Sequence, residues 1–103
     1  MERLDEGADG REIELAAGEE FELTLGENPT TGFRWRLTED GSPACALVRD
    51  EFSAPSEARP GQGGKHVWQF RADRAGESQI KLSYARAAGD AARTFTLRVR
   101  VKD

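Results

Sequence analysis

The sequence holds one cysteine and one histidine in 103 residues, and each shortage closes a class of function. A lone Cys45 has no partner for an internal disulfide, so the fold must rest on packing, and nothing demands an oxidising compartment. Cys45 lies in Ala44-Cys45-Ala46-Leu47-Val48, which reads as buried strand and therefore as core rather than as a reactive thiol. His66 falls on a predicted strand, where a packed or surface imidazole is expected in place of a general base. No Ser-His-Asp set converges, and one cysteine with one histidine makes no zinc-ligand pattern. No metal, no cofactor and no enzymatic activity are expected; function by binding is what remains.

Positive charge is also in deficit. A net charge of −4 argues against nucleic acid, whose phosphates would call for a basic face. Arg93, Arg98, Arg100 and Lys102 do recur, but they alternate with apolar positions and read as the solvated face of an edge-type strand. Long apolar runs are absent too. Met1-Glu2-Arg3-Leu4-Asp5-Glu6 has nothing of a signal peptide, and no segment reaches the length of a membrane span. A soluble monomer is expected, cytoplasmic or, if a leader has been trimmed, periplasmic or secreted.

What the chain does have is alternation. Residues 1–10 are charged and without period, a loose N-terminus by expectation, and residues 11–103 read as one domain. Ile13 and Leu15, then Phe21, Leu23 and Leu25, then Phe33, Trp35 and Leu37 alternate with polar neighbours. Further strands are expected over Ala44 to Phe52, over Lys65 to Ala72 with His66, Trp68 and Phe70 on one side, and from Ser78 to Tyr84. The last sets Phe95, Leu97, Val99 and Val101 against Thr94, Thr96, Arg98 and Arg100. Such a set of about seven short strands with Gly, Pro and Asp turns predicts an all-β, immunoglobulin-like antiparallel β-sandwich. Successive antiparallel strands reverse direction, so connections alternate between its two ends. Ala16 to Glu19, Glu39 to Pro43 and Asp73 to Glu77 fall at one end; Gly26 to Gly32, Ser53 to Gly64 and Ala85 to Ala92 gather at the other.

Each loop of that second end carries a distinctive stretch. Asn28-Pro29-Thr30-Thr31-Gly32-Phe33 reads as a shaped turn, because Pro29 fixes its own φ and Gly32 reaches backbone angles closed to other residues. The plain reading is a hairpin turn; the other is a stiff recognition loop, which loses less entropy on binding. Gly61-Gln62-Gly63-Gly64 lacks the Lys-Ser ending and following helix of a phosphate loop. Tyr84-Ala85-Arg86-Ala87-Ala88 follows the penultimate strand.

The first of these stretches resembles the N-P-T-T-G-[YF] signature of the chagasin family, small proteinaceous inhibitors of papain-like cysteine proteases. The second is similar to that family's G-x-G-G stretch, in the same order and spacing. The third keeps the tyrosine and arginine of the family's third element but has neither its proline nor its tryptophan. The resemblance runs from Ile13 to Val101. It implies a β-sandwich acting as a reversible, non-covalent inhibitor whose three loops occlude the protease cleft without being cleaved. The implied protease-binding set is Asn28, Pro29, Thr30, Thr31, Gly32, Phe33, Gly61, Gln62, Gly63, Gly64, Arg86, Ala87 and Ala88. Thr31 would lie nearest the protease's catalytic cysteine and histidine, Pro29 would brace the turn, and Arg86 would face the leaving-group half of the cleft. Ala88 cannot supply the family's aromatic anchor, and a weaker or narrower inhibitor is expected. The alternative is a non-inhibitory protein-binding module on the same scaffold, with the first loop kept for stability.

Overall fold

Alternation gives each strand one apolar face, and two sheets built of such strands hide those faces against each other. The computed structural model describes residues 1–54, 63–87 and 89–102. It contains β1 (Glu2–Leu4), β2 (Glu12–Ala16), β3 (Glu20–Glu27), β4 (Arg34–Asp40), β5 (Cys45–Ser53), β6 (Gly64–Ala72), β7 (Gly76–Ala85) and β8 (Arg93–Lys102). One sheet has the order β1-β3-β6-β5 and the other β2-β8-β7-β4. Trp68, Phe21, Phe70, Leu23 and Leu25 from the first face Phe95, Leu97, Val99, Ile80 and Leu82 from the second, all fully buried. Phe21 and Phe70 stack across the β3–β6 ladder with centroids 5.2 Å apart. Cys45 is buried in this core, as its apolar neighbours indicate.

The expected all-β sandwich is present, with two corrections to its plan. The sheets are mixed: β1 runs parallel to β3 and β2 parallel to β8, each at a sheet edge. Side-chain alternation is the same in parallel and antiparallel strands, so period alone cannot give direction. The second correction concerns residues 1–10, expected to be loose. Leu4 is buried beside Leu23, and Asp5 caps a 3-10 turn over Glu6–Ala8 by accepting from the Gly7 N–H at 2.9 Å. Glu6 Oε1 then accepts from Gly26 N–H at 2.8 Å, and Asp9 Oδ1 from Thr96 N–H at 2.8 Å. The segment thus stitches one sheet to the other through polar groups that carry no hydrophobic period.

Two smaller differences concern edges. β8, read from its basic face as an edge-type strand, lies inside its sheet between β2 and β7, with Arg98, Arg100 and Lys102 exposed on its outer side. The edges of that sheet are β2 and β4; in the other sheet the edge strand β5 carries a register shift between Leu47 and Arg49, and Val48 is exposed there.

Pairing fixes which loops meet. Glu27 pairs with Gly64, Ser53 with Lys65 and Arg34 with Ala85, so the β3–β4, β5–β6 and β7–β8 connections leave from one end. At the opposite end Gly18 N–H donates to Ala72 O and Asp73 N–H to Ala44 O, each at 2.8 Å, drawing those shorter turns together.

Candidate functional site

The first loop begins where Pro29 removes a backbone donor and ends where the chain needs a positive φ. Pro29–Thr31 forms one 3-10 turn, and Gly32 follows at φ +83°. Asn28 organises it. Its Oδ1 accepts from Thr30 Oγ1 at 2.6 Å and from Thr30 N–H at 3.3 Å, an Asx turn of the kind that replaces a backbone turn. Its carbonyl accepts from Thr31 Oγ1 at 2.7 Å and Thr31 N–H at 3.2 Å. Both threonine side chains are exposed, yet both hydroxyl hydrogens are spent inside the turn. What the loop offers outward through them is therefore oxygen lone pairs and a fixed shape.

The roots of this loop are pinned by aromatic and charged groups. Asn28 N–H donates to Tyr84 Oη at 3.1 Å, and Trp35 Nε1 donates to Gly26 O at 2.8 Å. Phe33 stacks on Tyr84 with centroids 5.4 Å apart, and Tyr84 packs against Trp35 at 4.8 Å. Phe33, expected to open the strand that carries Trp35 and Leu37, instead precedes it, half-buried on Tyr84; that strand, β4, begins at Arg34. Beneath lies Glu27, only 3% exposed. Its Oε1 accepts from Trp35 N–H at 2.6 Å and its Oε2 lies 3.1 Å from His66 Nδ1. The other ring nitrogen of His66 meets the Asp50 carboxylate, and the ring stacks on Trp68 at 3.9 Å. Carboxylates only accept, so both contacts are hydrogen bonds when the imidazole carries a proton on each nitrogen.

The second loop comes within contact of the first. A Cβ on Gly63 would sit 3.0 Å from Glu27 O and 3.2 Å from Asn28 Cβ, and one on Gly64 would sit 2.2 Å from Ser53 O. At Gly64 backbone approaches backbone as only glycine permits, while at Gly63 the fit would be tight. Gly61 and Gln62 lie outside the described residues, as does Ala88 of the third loop. In that third loop Arg86 lays its guanidinium 4.8 Å over the Phe33 ring, and its Cγ would be 3.8 Å from a Cβ on Gly32. Arg86 and Ala87 are exposed. Ala92 N–H donates to Tyr84 O at 2.8 Å and closes the loop at its base.

The expected site residues that are described, Asn28 to Phe33, Gly63, Gly64, Arg86 and Ala87, thus fall at one end on three adjoining loops. Sequence reasoning missed Glu27, Asp50 and the joining role of His66. A signal existed for Glu27: Phe21, Leu23 and Leu25 set the inward parity, and position 27 continues it. Among the described residues no group of three or more His, Cys, Asp or Glu side chains is placed to hold a metal ion.

Comparison with known proteins accords with this geometry. Amoebiasin-1 of Entamoeba histolytica is 37% identical over 103 residues, covering 96% of this chain and 98% of that protein. A crystal structure of another cysteine protease inhibitor from Entamoeba histolytica superposes with a TM-score of 0.82 at 21% identity, over 98% of this chain and 94% of that one. PbICP-C, solved in complex with falcipain-2, superposes with a TM-score of 0.75 at 17% identity, over 99% of this chain and 100% of that one. The family model described as Chagasin family peptidase inhibitor I42 matches residues 14–100. With relatedness over nearly its whole length and the three loops at one end, the chain belongs to the chagasin family, a family of peptidase inhibitors rather than enzymes.

Proposed function

We propose that this protein is a reversible, non-covalent inhibitor of papain-like cysteine proteases, with the three loops entering the active-site cleft as one wedge. The observation that carries this reading is their mutual bracing: Tyr84 holds Asn28, Arg86 covers Phe33, and Gly63 backs onto Glu27 and Asn28. A surface ordered before contact loses little entropy on docking. Thr30, Thr31 and Gly32 form the tip, and the internally bonded threonine hydroxyls leave no peptide presented in the extended form a protease cleaves. Gly63 and Gly64 bring backbone close to the cleft wall, where main-chain hydrogen bonds in the manner of an added strand are available. Arg86 and Ala87 flank the other side. The test is a titration of papain with the purified protein, followed by dilution. Stoichiometric loss of activity that returns on dilution, with the inhibitor recovered uncleaved, is the expected result; unimpeded papain at saturating protein would overturn it.

A second reading has one observation in its favour. The Thr30 and Thr31 hydroxyls both bond to Asn28, as they would in a loop kept for stability on a scaffold turned to another partner. Loss of melting temperature without loss of protease binding in threonine variants would favour it.

A further inference from the structure

Beside the first loop lies a cavity of about 180 Å³ lined by Gly32, Arg34, Trp35, Arg36, Ala85 and Ala87. It opens on the flank of the wedge, because β4 is the edge of its sheet and Arg34 pairs with Ala85 where the third loop departs. Small-molecule sites run to ~300–1,000 Å³, so this volume suits one side chain rather than a free ligand. Apart from Trp35, its lining is of two kinds. Gly32, Ala85 and Ala87 contribute small groups, while Arg34 and Arg36 are exposed arginines two positions apart on one strand, hence on one face. Among the described residues neither guanidinium is in an ion pair, although the whole chain carries a net charge of −4. Acidic side chains are plentiful, yet none of the described ones is spent here. Guanidinium forks match carboxylates in a bidentate manner, and a short aliphatic stem matches the alanine and glycine lining.

We propose that this cavity is a specificity pocket that receives an aspartate or glutamate side chain from the rim of the target protease's cleft. Arg34 and Arg36 hold the carboxylate, and the small residues admit its stem. The pocket rests on the inhibitory reading above and extends it to partner selection: proteases with an acid at that rim position are preferred. Charge at such a place acts on encounter as well as on residence, so the binding should weaken with salt.

Surface plasmon resonance of the intact protein against an inactivated papain-like protease, at low and high salt, tests the pocket. Arg34→Gln with Arg36→Gln should weaken affinity by about tenfold, chiefly through faster dissociation, and flatten the salt dependence. Ala87→Asp, which gives the arginines a carboxylate of the chain's own, should do the same. Neutralising rim acids of the protease one at a time should uncover one whose loss is not additive with the arginine changes. If the arginine variant, folded as judged by its melting temperature, dissociates like the parent with the same salt dependence, the pocket is wrong. Thr31→Arg separates the two levels: its loss of binding beside an unaffected arginine variant overturns the pocket and keeps the wedge. Parent-like binding by Thr31→Arg overturns both.

Discussion

Glu27 places one carboxylate oxygen 3.1 Å from Nδ1 of His66 and the other 2.6 Å from the backbone nitrogen of Trp35. Those two partners lie in different sheets, His66 on β6 and Trp35 on β4. With Asp50 on the far side of the imidazole, the chain of polar contacts joins both roots of the first loop to the strands on either side of the second. A carboxylate 3% exposed is tolerable only because its oxygens are matched.

Removing that match should be costly. Glu27→Ala leaves the Trp35 N–H without its acceptor and should lower unfolding free energy by about 2–3 kcal/mol, while Glu27→Gln, which keeps an acceptor, should lose about 1. His66→Ala leaves one oxygen of the buried carboxylate without its partner and should cost about 1–3 kcal/mol. Urea denaturation measures all three; equal stability of Glu27→Ala and the parent would show that the bridge contributes nothing.

The two glycines of the second loop should separate stability from binding. At Gly64 a Cβ would sit 2.2 Å from Ser53 O and 2.8 Å from Phe52 Cζ, so Gly64→Ala must move the β5–β6 ladder and should cost about 2–3 kcal/mol. At Gly63 the nearest atoms would be the Glu27 carbonyl oxygen at 3.0 Å, at the root of the first loop, and Asn28 Cβ at 3.2 Å. Gly63→Ala should therefore spare most of the stability and weaken inhibition by parting the two loops. A thermal melt and an inhibition constant on each variant check the contrast.

Thr31 is bonded within its turn and stands at the proposed tip, and different substitutions part the two. Thr31→Val keeps the shape but deletes the bond to Asn28 O, which should remove about 1 kcal/mol, or about 5 °C of melting temperature in a domain of this size. Thr31→Arg lengthens an exposed tip side chain and should abolish inhibition by obstructing the cleft. Unchanged inhibition by a folded Thr31→Arg would remove the threonine loop from the mechanism.

Cys45 should behave as core. Burial pushes its thiol pKa up, with a smaller opposing effect from the Ser78 hydroxyl, so thiolate is scarce near neutral pH. A chromogenic disulfide reagent should label it only as the protein unfolds, with labelling and unfolding showing the same denaturant dependence. Rapid labelling of the native protein would contradict a buried place.

How far these features were legible follows from their physics. The alternation of Phe21, Leu23 and Leu25, and of Phe95, Leu97 and Val99, marks inward faces directly, and strand parity then gathers the three loops before any coordinates. β1 escaped because Leu4 is a single apolar residue in a charged run, held by pairing to β3 and by the contacts of Glu6 and Asp9. Parallel pairing escaped because it leaves side-chain period unchanged. Glu27 escaped because a carboxylate reads as exposed until its partners from β4 and β6 are known. The hollow beside Gly32 needed three separate segments at once, Gly32, the β4 arginines and the alanines of the third loop.

The most direct test of the account is an equilibrium titration of active-site-counted papain with the intact protein and with Thr31→Arg, side by side. The account predicts complete, reversible loss of activity with the parent at saturation and full activity with the variant, both proteins giving the same β-rich circular dichroism. Full papain activity at saturating parent protein, or equal inhibition by both, would contradict it.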